Sequence, residues 1–424
     1  MISKGICLMT RAMKDSGIEW IGQIPENWEV SKLKSNFSFE KGKNAAQYTQ
    51  EYIGENEGCY PVYSGQTENN GIMGKINSFD YDIKECVFST TVGAKVMTPR
   101  YLRGKFSLSQ NCLIMLPISK YVCKLLYYVL LPLFSYEKAL IPSHMQPSLR
   151  FSDLKKYFLP LPPLSEQQKI ADYLDKRCEK IDTAIDNQKQ IIEKLKEYKQ
   201  SLITETVTKG LNPNVKLKDS GIEWIGSIPE HWEIKKLKYL FKIKKNIAGK
   251  EGFDILSVTQ SGIKIKDIST NEGQIAQDYS KYQIVNIDDF IMNHMDLLTG
   301  FVDCSHFNGV TSPDYRVFCQ IEPTTNSNLY YNYIFQQCYK NKIFYGLGQG
   351  VSGLGRWRLP SDMFLNFTLP QPPLSEQKEI AEYLDKKCNQ IDEAIKQKEE
   401  TISKLEEYKK SLIFECVTGK KEVS

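Results

Sequence analysis

The feature that most constrains the fold of this 424-residue chain is an internal repeat. Residues 14–34 read KDSGIEWIGQIPENWEVSKLK and residues 218–238 read KDSGIEWIGSIPEHWEIKKLK, with 17 of 21 positions identical. Residues 162–185 read PPLSEQQKIADYLDKRCEKIDTAI, and residues 372–395 repeat them as PPLSEQKEIAEYLDKKCNQIDEAI. Such self-similarity indicates that one structural unit occurs twice. The sequence therefore predicts a duplicated architecture.

The segments between these anchors, residues 35–161 and 239–371, share little sequence. Similar ends around dissimilar middles are typical of one scaffold that presents two modules to different targets. A duplication that has simply drifted is the alternative. We expect mixed α/β modules, because short β-rich runs lie between Gly, Asn and Asp turns. The predicted strands are Glu85–Ser89, Phe253–Val258, Phe290–Met292 and Tyr315–Phe318, and the predicted helices lie near Lys124–Leu133 and Leu329–Tyr339.

Each repeated segment that follows a module predicts the start of a long helix. A Pro-Pro pair favours extended backbone, and Ser165 or Ser375 then stands where an N-cap belongs. Glu166 would lie in the positively poled first turn. Gln168 would complete a capping box in the first copy, which the second copy does not match.

Beyond these starts, apolar residues recur at heptad spacing, as in a coiled-coil seam. The predicted seam residues are Leu174, Cys178, Ile181, Ile185, Ile192, Leu195 and Leu202, then Leu384, Cys388, Ile391, Ile395, Ile402, Leu405 and Leu412. A helix from Ser165 to Val207 would be roughly 65 Å long at about 1.5 Å per residue and needs a partner for stability. We expect the two helices to pair within one chain as an antiparallel coiled coil, with pairing between chains as the alternative.

Composition narrows the function classes. The apolar share of 41% and the charged share of 25% are typical of globular domains, and a net charge of +4 gives little support by itself for nucleic-acid binding. The eleven cysteines include no CxxC pair, which favours reduced thiols in the cytoplasm. The apolar run Leu125–Phe134 is too short to cross a bilayer and favours a buried helix. The four histidines match no metal-binding motif, so we expect no metal site.

Catalytic motifs are also missing from the sequence. A DNA adenine methyltransferase would need a Gly-rich cofactor-binding turn and an [Asp/Asn/Ser]-Pro-Pro-aromatic motif. The sequence contains neither. The string nearest to the second motif, at residues 312–315, lacks the second proline. There is no GxxxxGK[ST] loop. Gly348, Gly350 and Gly353 spell GxGxxG, but residues 356–360, RWRLP, follow instead of a helix. A loop whose backbone approaches a partner such as a DNA phosphate is the favoured interpretation. We predict no catalytic residue.

Basic and amide side chains cluster in both modules. Arginines and amides suit base edges, to which they bond bidentately, and lysines suit phosphates. The candidate DNA-binding residues of the first module are Ser64, Gln66, Asn69, Asn70, Lys95, Arg100, Arg103 and Lys105. Those of the second are Asn293, His294, Asp296, Arg316, Gln349, Ser352, Arg356 and Arg358. A solvated loop is the alternative for each of them.

The order of these segments resembles the specificity subunits of type I restriction-modification systems over nearly the whole chain. LPLPPLSEQQKIADYLDKRCEKIDTAI and LPQPPLSEQKEIAEYLDKKCNQIDEAI carry the resemblance, with support from residues 284–318 and 148–163. The resemblance implies an α+β fold in which two mixed α/β target recognition domains are separated by two long helices, with a pseudo-twofold repeat. Its expected domains are a leader (1–13), a first recognition domain (14–158), a central long-helix region (159–210), a linker (211–217), a second recognition domain (218–368), a C-terminal long-helix region (369–418) and a tail (419–424).

The resemblance also implies a function and partners. Each recognition domain would read one half of a bipartite site in double-stranded DNA, and the helices would set the spacer. Two modification subunits with S-adenosylmethionine would dock on the chain, and restriction subunits would bring ATP and Mg. A self-contained methyltransferase-nuclease would need the missing motifs. A non-catalytic coiled-coil scaffold with two interaction modules is the other alternative, but it gives no reason for two divergent modules.

Overall fold

A computed structural model describes residues 11–65, 69–93, 95–142, 144–267, 276–350 and 357–423. The chain forms two compact units. Unit 1 comprises Met1–Gln188 and Glu399–Ser424, and unit 2 comprises Lys189–Lys398. Each unit therefore contains one module together with parts of both long helices.

The strands, in chain order, are β1 (Met13–Asp15), β2 (Gln23–Pro25), β3 (Glu29–Lys32), β4 (Phe37–Lys41), β5 (Glu57–Tyr63), β6 (Ile72–Ile76), β7 (Tyr81–Thr90), β8 (Pro99–Leu108), β9 (Cys112–Pro117), β10 (Phe158–Leu161), β11 (Leu217–Asp219), β12 (Ser227–Pro229), β13 (Glu233–Lys236), β14 (Phe241–Lys244), β15 (Leu256–Thr259), β16 (Gly262–Ile265), β17 (Gln283–Val285), β18 (Phe290–Met292), β19 (Val302–Cys304), β20 (Gly309–Thr311), β21 (Arg316–Gln320) and β22 (Thr368–Gln371). The helices are α1 (Leu33–Asn36), α2 (Gln50–Glu55), α3 (Cys123–Ala139), α4 (Phe151–Leu154), α5 (Leu164–Lys209), α6 (Asn328–Lys340), α7 (Ile343–Gly346), α8 (Ser361–Asn366) and α9 (Leu374–Val417).

Unit 1 is built around a sheet of strand order β4-β9-β7-β8-β5-β6, in which only β5 and β8 run parallel. The apolar run of β9 is buried, and α3 covers the sheet through Leu126, Val129 and Leu133. Outside the sheet, β1 pairs with β2 and β3 pairs with β10. Trp28, between these strands, is fully buried. The repeated segment thus forms a small frame at the base of the module.

Unit 2 repeats the frame but not the sheet. The β11–β12 and β13–β22 pairs match β1–β2 and β3–β10 in order and orientation. Its larger sheet has the order β14-β21-β18-β19, with α6 packed against it. The core is aromatic: Phe290 stacks on Phe318 with ring centroids 5.1 Å apart, and both rings contact Phe335 edge-on. The repeated sequence therefore gives repeated structure, and the diverged middles give different modules.

The long helices α5 and α9, of 46 and 44 residues, pair with each other in both units. In unit 1, Leu174 and Cys178 share a core with Leu412, and Lys409 donates to Asp182 at 2.6 Å. In unit 2, Lys199 donates to Asp392 at 2.7 Å. The two ion pairs are equivalent under the repeat. The pairing is antiparallel, since early residues of one helix contact late residues of the other, and this confirms the predicted coiled coil within one chain.

The predicted starts of these helices are wrong by two residues, since an N-cap at Ser165 or Ser375 would make the following glutamate the first helical residue. Both helices begin at the leucine before the serine, Leu164 and Leu374, so Ser165 and Ser375 are not N-caps. The predicted capping box is also wrong, because Gln168 donates to Asp172 at 2.8 Å. The second proline of each Pro-Pro pair precedes the first helical residue, and its carbonyl accepts from an amide of the first turn.

The predicted strands and helices of the modules are largely confirmed. Glu85–Ser89 lies within β7, Phe290–Met292 coincides with β18, and both predicted module helices lie within α3 and α6. The strand predicted at Phe253–Val258 begins only at Leu256. Leu125–Phe134 lies inside α3, where most of its side chains are buried. Over the described parts of the chain, no helix is both long enough and apolar enough to cross a membrane.

Candidate nucleic-acid interface

The joint between frame and long helix is formed by a tryptophan and a glutamate. In unit 1 the Nε1–H of Trp28 donates to Glu166 Oε2 at 2.9 Å, and the Arg11 guanidinium donates to both oxygens of the same carboxylate. Burial opposes ionisation of Glu166, but the hydrogen bonds from Arg11 and Trp28 outweigh it, and the pKa of Glu166 lies below its ordinary value. The carboxylate therefore stays charged and holds the first turn of α5 to the frame.

Unit 2 has the same joint with one substitution. Trp232 Nε1 donates to Glu376 Oε2 at 2.8 Å, and His231 Nε2 lies 2.6 Å from Glu376 Oε1. His231, which stands at the repeat position of Asn27, thus contacts one of the two carboxylate oxygens that Arg11 contacts in unit 1. The acidic residue at the helix start was expected only to favour the helix dipole. The sequence alone did not predict that this glutamate also accepts a hydrogen bond from the tryptophan of the frame, although both residues recur in the two copies.

The glutamine after this glutamate joins the long helix to the helix of the module. Gln167, which is buried, accepts a hydrogen bond from the Val122 amide at 2.9 Å and donates to the Pro162 carbonyl at 2.9 Å. In unit 2 Gln377 accepts from the Ser327 amide at 2.8 Å. Both amides immediately precede module helices, where the helix itself offers no acceptor. The repeated Glu-Gln pair thus fixes frame, long helix and module helix together.

A tyrosine of each module helix adds a further contact. Tyr128 donates to Asp175 of α5 at 2.6 Å, and Tyr333 stands 3.5 Å from Asp385 of α9. Lys124 also pairs with Asp175 at 3.1 Å. The modules are therefore held to the long helices by side chains at equivalent positions of the repeat.

In the first module, Asn70 and Arg100 come together, and Asn69 precedes Asn70 in the same turn. Asn69 and Asn70 adopt left-handed backbone with φ of 46° and 53°, and a Cβ built on Gly71 would lie 3.2 Å from the Arg100 guanidinium. Asn70 and Arg100 line a groove of about 760 Å³ with Tyr63. Arg100 Nε is buried and has no hydrogen-bond partner. The groove thus presents amide and guanidinium groups, which suit base edges, together with carboxylates on its α5 side: Asp175, Glu179, Asp182 and Asp186.

The other candidates of the first module are dispersed. Ser64 is 8% exposed, and its amide donates to the Gly71 carbonyl. Lys95 and Arg103 are exposed. Lys105 lies over the rings of Phe79 and Tyr60, with its Nζ 4.6 and 5.7 Å from their centroids. Gln66 lies outside the described residues.

In the second module, two candidates line a pocket of about 340 Å³. Asn293 and Asp296 lie there with Tyr279, Tyr315 and Lys266. The Asn293 carbonyl accepts from the Tyr339 hydroxyl at 2.6 Å. The Asp296 carboxylate accepts from the amides of Leu298 and Thr299 at 3.1 and 2.9 Å. Both residues therefore shape the loop after β18.

The remaining described candidates meet beside this loop. Gln349 and Arg358 form an antiparallel bridge with backbone hydrogen bonds of 2.8 and 2.9 Å, and the Leu359 amide donates to the His294 carbonyl at 2.9 Å. Arg316 is buried and donates to the Leu359 carbonyl at 2.9 Å. Four residues scattered over 65 positions of sequence thus share one site. Ser352 and Arg356 lie outside the described residues.

The GxGxxG string contributes to packing here. A Cβ on Gly348 would lie 2.4 Å from the Trp357 ring, so the glycine allows this close approach. Trp357 stacks on Tyr345 and donates to its carbonyl at 2.7 Å. Gly353 lies outside the described residues. Across the part of the chain that the structure describes, no cluster of three or more His, Cys, Asp or Glu residues is suited to hold a metal ion.

Comparisons with known proteins agree with this arrangement. The family model of the type I restriction modification DNA specificity domain matches residues 25–197 and again 229–404. The type I restriction enzyme MjaVIII specificity subunit of Methanocaldococcus jannaschii is 26% identical over 94% of each chain. A putative type I specificity subunit of Mycoplasma pneumoniae is 32% identical over 42% of this chain and 57% of its own.

One solved structure has the same fold. It comes from work on complex assembly and conformational transition of the type I R-M system, and it covers 93% of this chain and 98% of its own, with a TM-score of 0.66 and 12% identity. The duplicated match of the family model coincides with the two modules and their helices. This chain belongs to the family of type I restriction-modification DNA specificity subunits.

Proposed function

We propose that each module of this specificity subunit reads one half of a bipartite site in double-stranded DNA, and that the paired helices set the spacer between the halves. The observation that carries this is the repeated joint. Trp28–Glu166 and Trp232–Glu376 hold two different modules on one repeated scaffold. A scaffold of this kind presents each module in the same local setting, so each can read its own half-site.

The amide and arginine groups of each module support a recognition role. Asn70 and Arg100 line the groove of unit 1, and Asn293 and Arg358 belong to the loops of unit 2. Side chains of these two types bond bidentately to adenine and guanine in the major groove. The candidates that lie apart from these sites, such as Lys95 and Arg103, suit phosphate contacts instead.

We also propose that two modification subunits dock on the paired helices. Tyr198 of α5 and Tyr408 of α9 occupy equivalent positions of the repeat and are 56% and 53% exposed. Exposed tyrosines are typical of protein interfaces because they combine apolar area with a polar end. The matched pair suits two copies of one partner.

Catalysis is assigned to those partners. The proposal places S-adenosylmethionine on the modification subunits, ATP and Mg on restriction subunits, and the whole complex in the cytoplasm. This chain would carry no catalytic group of its own. The MjaVIII relative is named as the specificity subunit of a restriction enzyme, which supports this division of roles.

The test is exchange of one module. Replacing residues 35–158 with the corresponding segment of a relative, while keeping Trp28 and Glu166, should change one half of the methylated site in cells that also express the modification subunit. The matched control replaces residues 239–368 and should change the other half. Methylome sequencing gives the sequences of both half-sites for each exchange. If both halves changed together, or neither did, the assignment of one half-site to each module would be wrong. A pure scaffold would leave no sequence-specific methylation to map.

A further inference from the structure

Arg316 is a buried cation whose contacts with the described residues are to uncharged groups. It is 4% exposed at the start of β21, and its Nη2 donates to the Leu359 carbonyl at 2.9 Å and to the Ser361 hydroxyl at 3.2 Å. The guanidinium also lies 4.6 Å from the ring centroid of Phe364. Nη1 is buried and has no hydrogen-bond partner. Burial lowers the pKa of Arg316 to about 10, so the side chain remains charged at neutral pH.

A buried charge is costly unless an opposite charge compensates it. The groups whose charge bears on the pKa of Arg316 are Tyr339 and Arg358. Burial raises the pKa of Tyr339 well above its ordinary value, so Tyr339 is neutral near pH 7, and Arg358 adds a second positive charge. Neither group neutralises Arg316. The cation is therefore placed to attract an anion from outside the chain.

Arg358 makes a weak contact with the edge of its guanidinium. This exposed side chain directs the Nε and Nη2 edge of its guanidinium to the Met295 sulfur. A thioether is a weak acceptor, whereas the same guanidinium edge forms two strong hydrogen bonds with a carboxylate or a phosphate. An oxyanion would replace the sulfur with better acceptors.

His294 is the third group with an unused polar atom. Its Nδ1 is buried without a hydrogen-bond partner. Burial, and then the charges of Arg316 and Arg358, lower the pKa of His294 to about 4. The ring is therefore neutral at pH 7 and adds no further positive charge beside the two arginines.

Backbone hydrogen bonds fix the three residues in one place. The His294 carbonyl accepts from Leu359, and Arg358 is paired with Gln349. The site thus offers donors and positive charge from three separate segments. A guanine edge can also accept hydrogen bonds from an arginine. A guanine is uncharged, however, and does not compensate the second, buried charge of Arg316. A ligand with a full negative charge fits the two arginines better.

We propose that Arg358, Arg316 and His294 form a subsite for one phosphodiester group of the DNA backbone, in which Arg358 makes the direct bidentate contact and Arg316 supplies a fixed charge close to it. This rests on the proposed function, because it assumes that unit 2 binds DNA. A contact of this kind positions the module on the duplex without reading sequence.

The test compares Arg358→Gln with Lys238→Gln in the full chain bound to its modification subunits. Affinities for a specific and a random-sequence duplex are measured over a series of salt concentrations. Arg358→Gln should weaken both affinities by about tenfold, as expected for a charge-assisted contact, and should lower the salt slope by about 0.9. Lys238→Gln removes a cation from the frame of the same unit and should leave both quantities unchanged. Arg358→Lys should retain the salt slope but recover only part of the affinity, because lysine cannot bond bidentately.

The outcomes separate the possible roles. A loss confined to the specific duplex, with relaxed preference at one base pair and an unchanged salt slope, would show a base contact and overturn the phosphate subsite. Equal affinities for Arg358→Gln and the unchanged chain would overturn it as well. Thermal unfolding of each variant confirms that it is folded. The proposed function is judged separately, by whether the unchanged chain prefers the specific duplex, since a phosphate contact acts on either duplex.

Discussion

Trp28 donates its indole hydrogen bond to Glu166, a residue 138 positions later in the chain, and Trp232 makes the same bond to Glu376. The chain between the two partners of each pair comprises a module and the two frame strands that flank it, which are β3 and β10 in unit 1. The bond therefore closes each module at its base, where the chain enters from the frame and leaves into the long helix. It explains why both partners recur in the repeat while the segment between them diverges.

Glu166→Ala should destabilise unit 1 by about 2 kcal/mol, because it leaves the buried Trp28 donor and the Arg11 guanidinium without their acceptor. Glu179→Ala, at an exposed position of the same helix, is the matched control and should change stability by less than about 0.5 kcal/mol. Thermal or denaturant unfolding measures both. Equal stabilities for the two variants would show that the bond contributes nothing to the joint.

Much of the architecture could be predicted from the sequence, because it depends on repetition and periodicity. The heptads of Leu174 and Leu384 predicted the helices and their pairing, and divergence between the anchors predicted two modules. The bonds of Glu166 to Trp28 and of Gln167 to Val122 could not be predicted, since each joins residues far apart in sequence. The helix starts were wrong because the proline carbonyls receive the first amides, a role that local preference assigned to serine.

Single candidate residues were the least predictable part. Residue type alone suggested that Arg316 contacts DNA bases, yet its side chain is buried and bonded to Leu359. Only the fold shows that it lies close to Arg358 and His294, which are distant from it in sequence. Composition identifies groups that suit nucleic acid, but it cannot show which of them reach the surface together.

The half-buried His294 should make unit 2 sensitive to acid. Its pKa in the folded protein is about 4, below the ordinary value of 6.5, so between these values the unfolded chain binds a proton that the folded chain does not. Stability that is present above pH 6.5 is therefore lost as the pH falls towards 4. Between pH 7 and pH 5 the loss from His294 should be about 1 kcal/mol, after allowance for solvent screening of a partly exposed ring.

The measurement is the melting temperature of the unchanged chain and of His294→Gln at both pH values. The variant should lose less stability than the unchanged chain on acidification, because its side chain does not titrate. His306→Gln, at an exposed position of the same unit, is the control and should follow the unchanged chain. A His294→Gln variant with the full acid sensitivity would contradict the assignment.

Tyr198→Ala combined with Tyr408→Ala should weaken binding of the modification subunits by about tenfold or more, since buried tyrosines at interfaces often contribute above 1 kcal/mol each. Folding should be unaffected, because both side chains are exposed. Lys194→Ala combined with Lys404→Ala gives a control at another exposed, equivalent pair of positions. Isothermal titration with purified modification subunit measures the difference. Unchanged affinity in the tyrosine variant would place the docking surface elsewhere.

The last prediction concerns the spacer between half-sites. Seven residues are two turns of helix, so a heptad inserted in both long helices keeps the phase of the seam. The insertions belong after Gln188 and after Lys398, where the chain passes from one unit to the other. They leave the ion pairs Asp182–Lys409 and Lys199–Asp392 intact. Each helix should lengthen by about 10 Å at about 1.5 Å per residue.

At about 3.4 Å per base pair, that extension corresponds to a spacer longer by roughly three base pairs. Both half-site sequences should be retained, because neither module is changed. A heptad inserted in α5 alone is the control. It mismatches the seam against α9, so it should reduce assembly with the modification subunits and should not yield an active complex with a longer spacer. Methylome sequencing of cells that express each variant reads the spacer directly. If the double insertion is active and still methylates sites with the original spacer, the length of the paired helices does not set the distance.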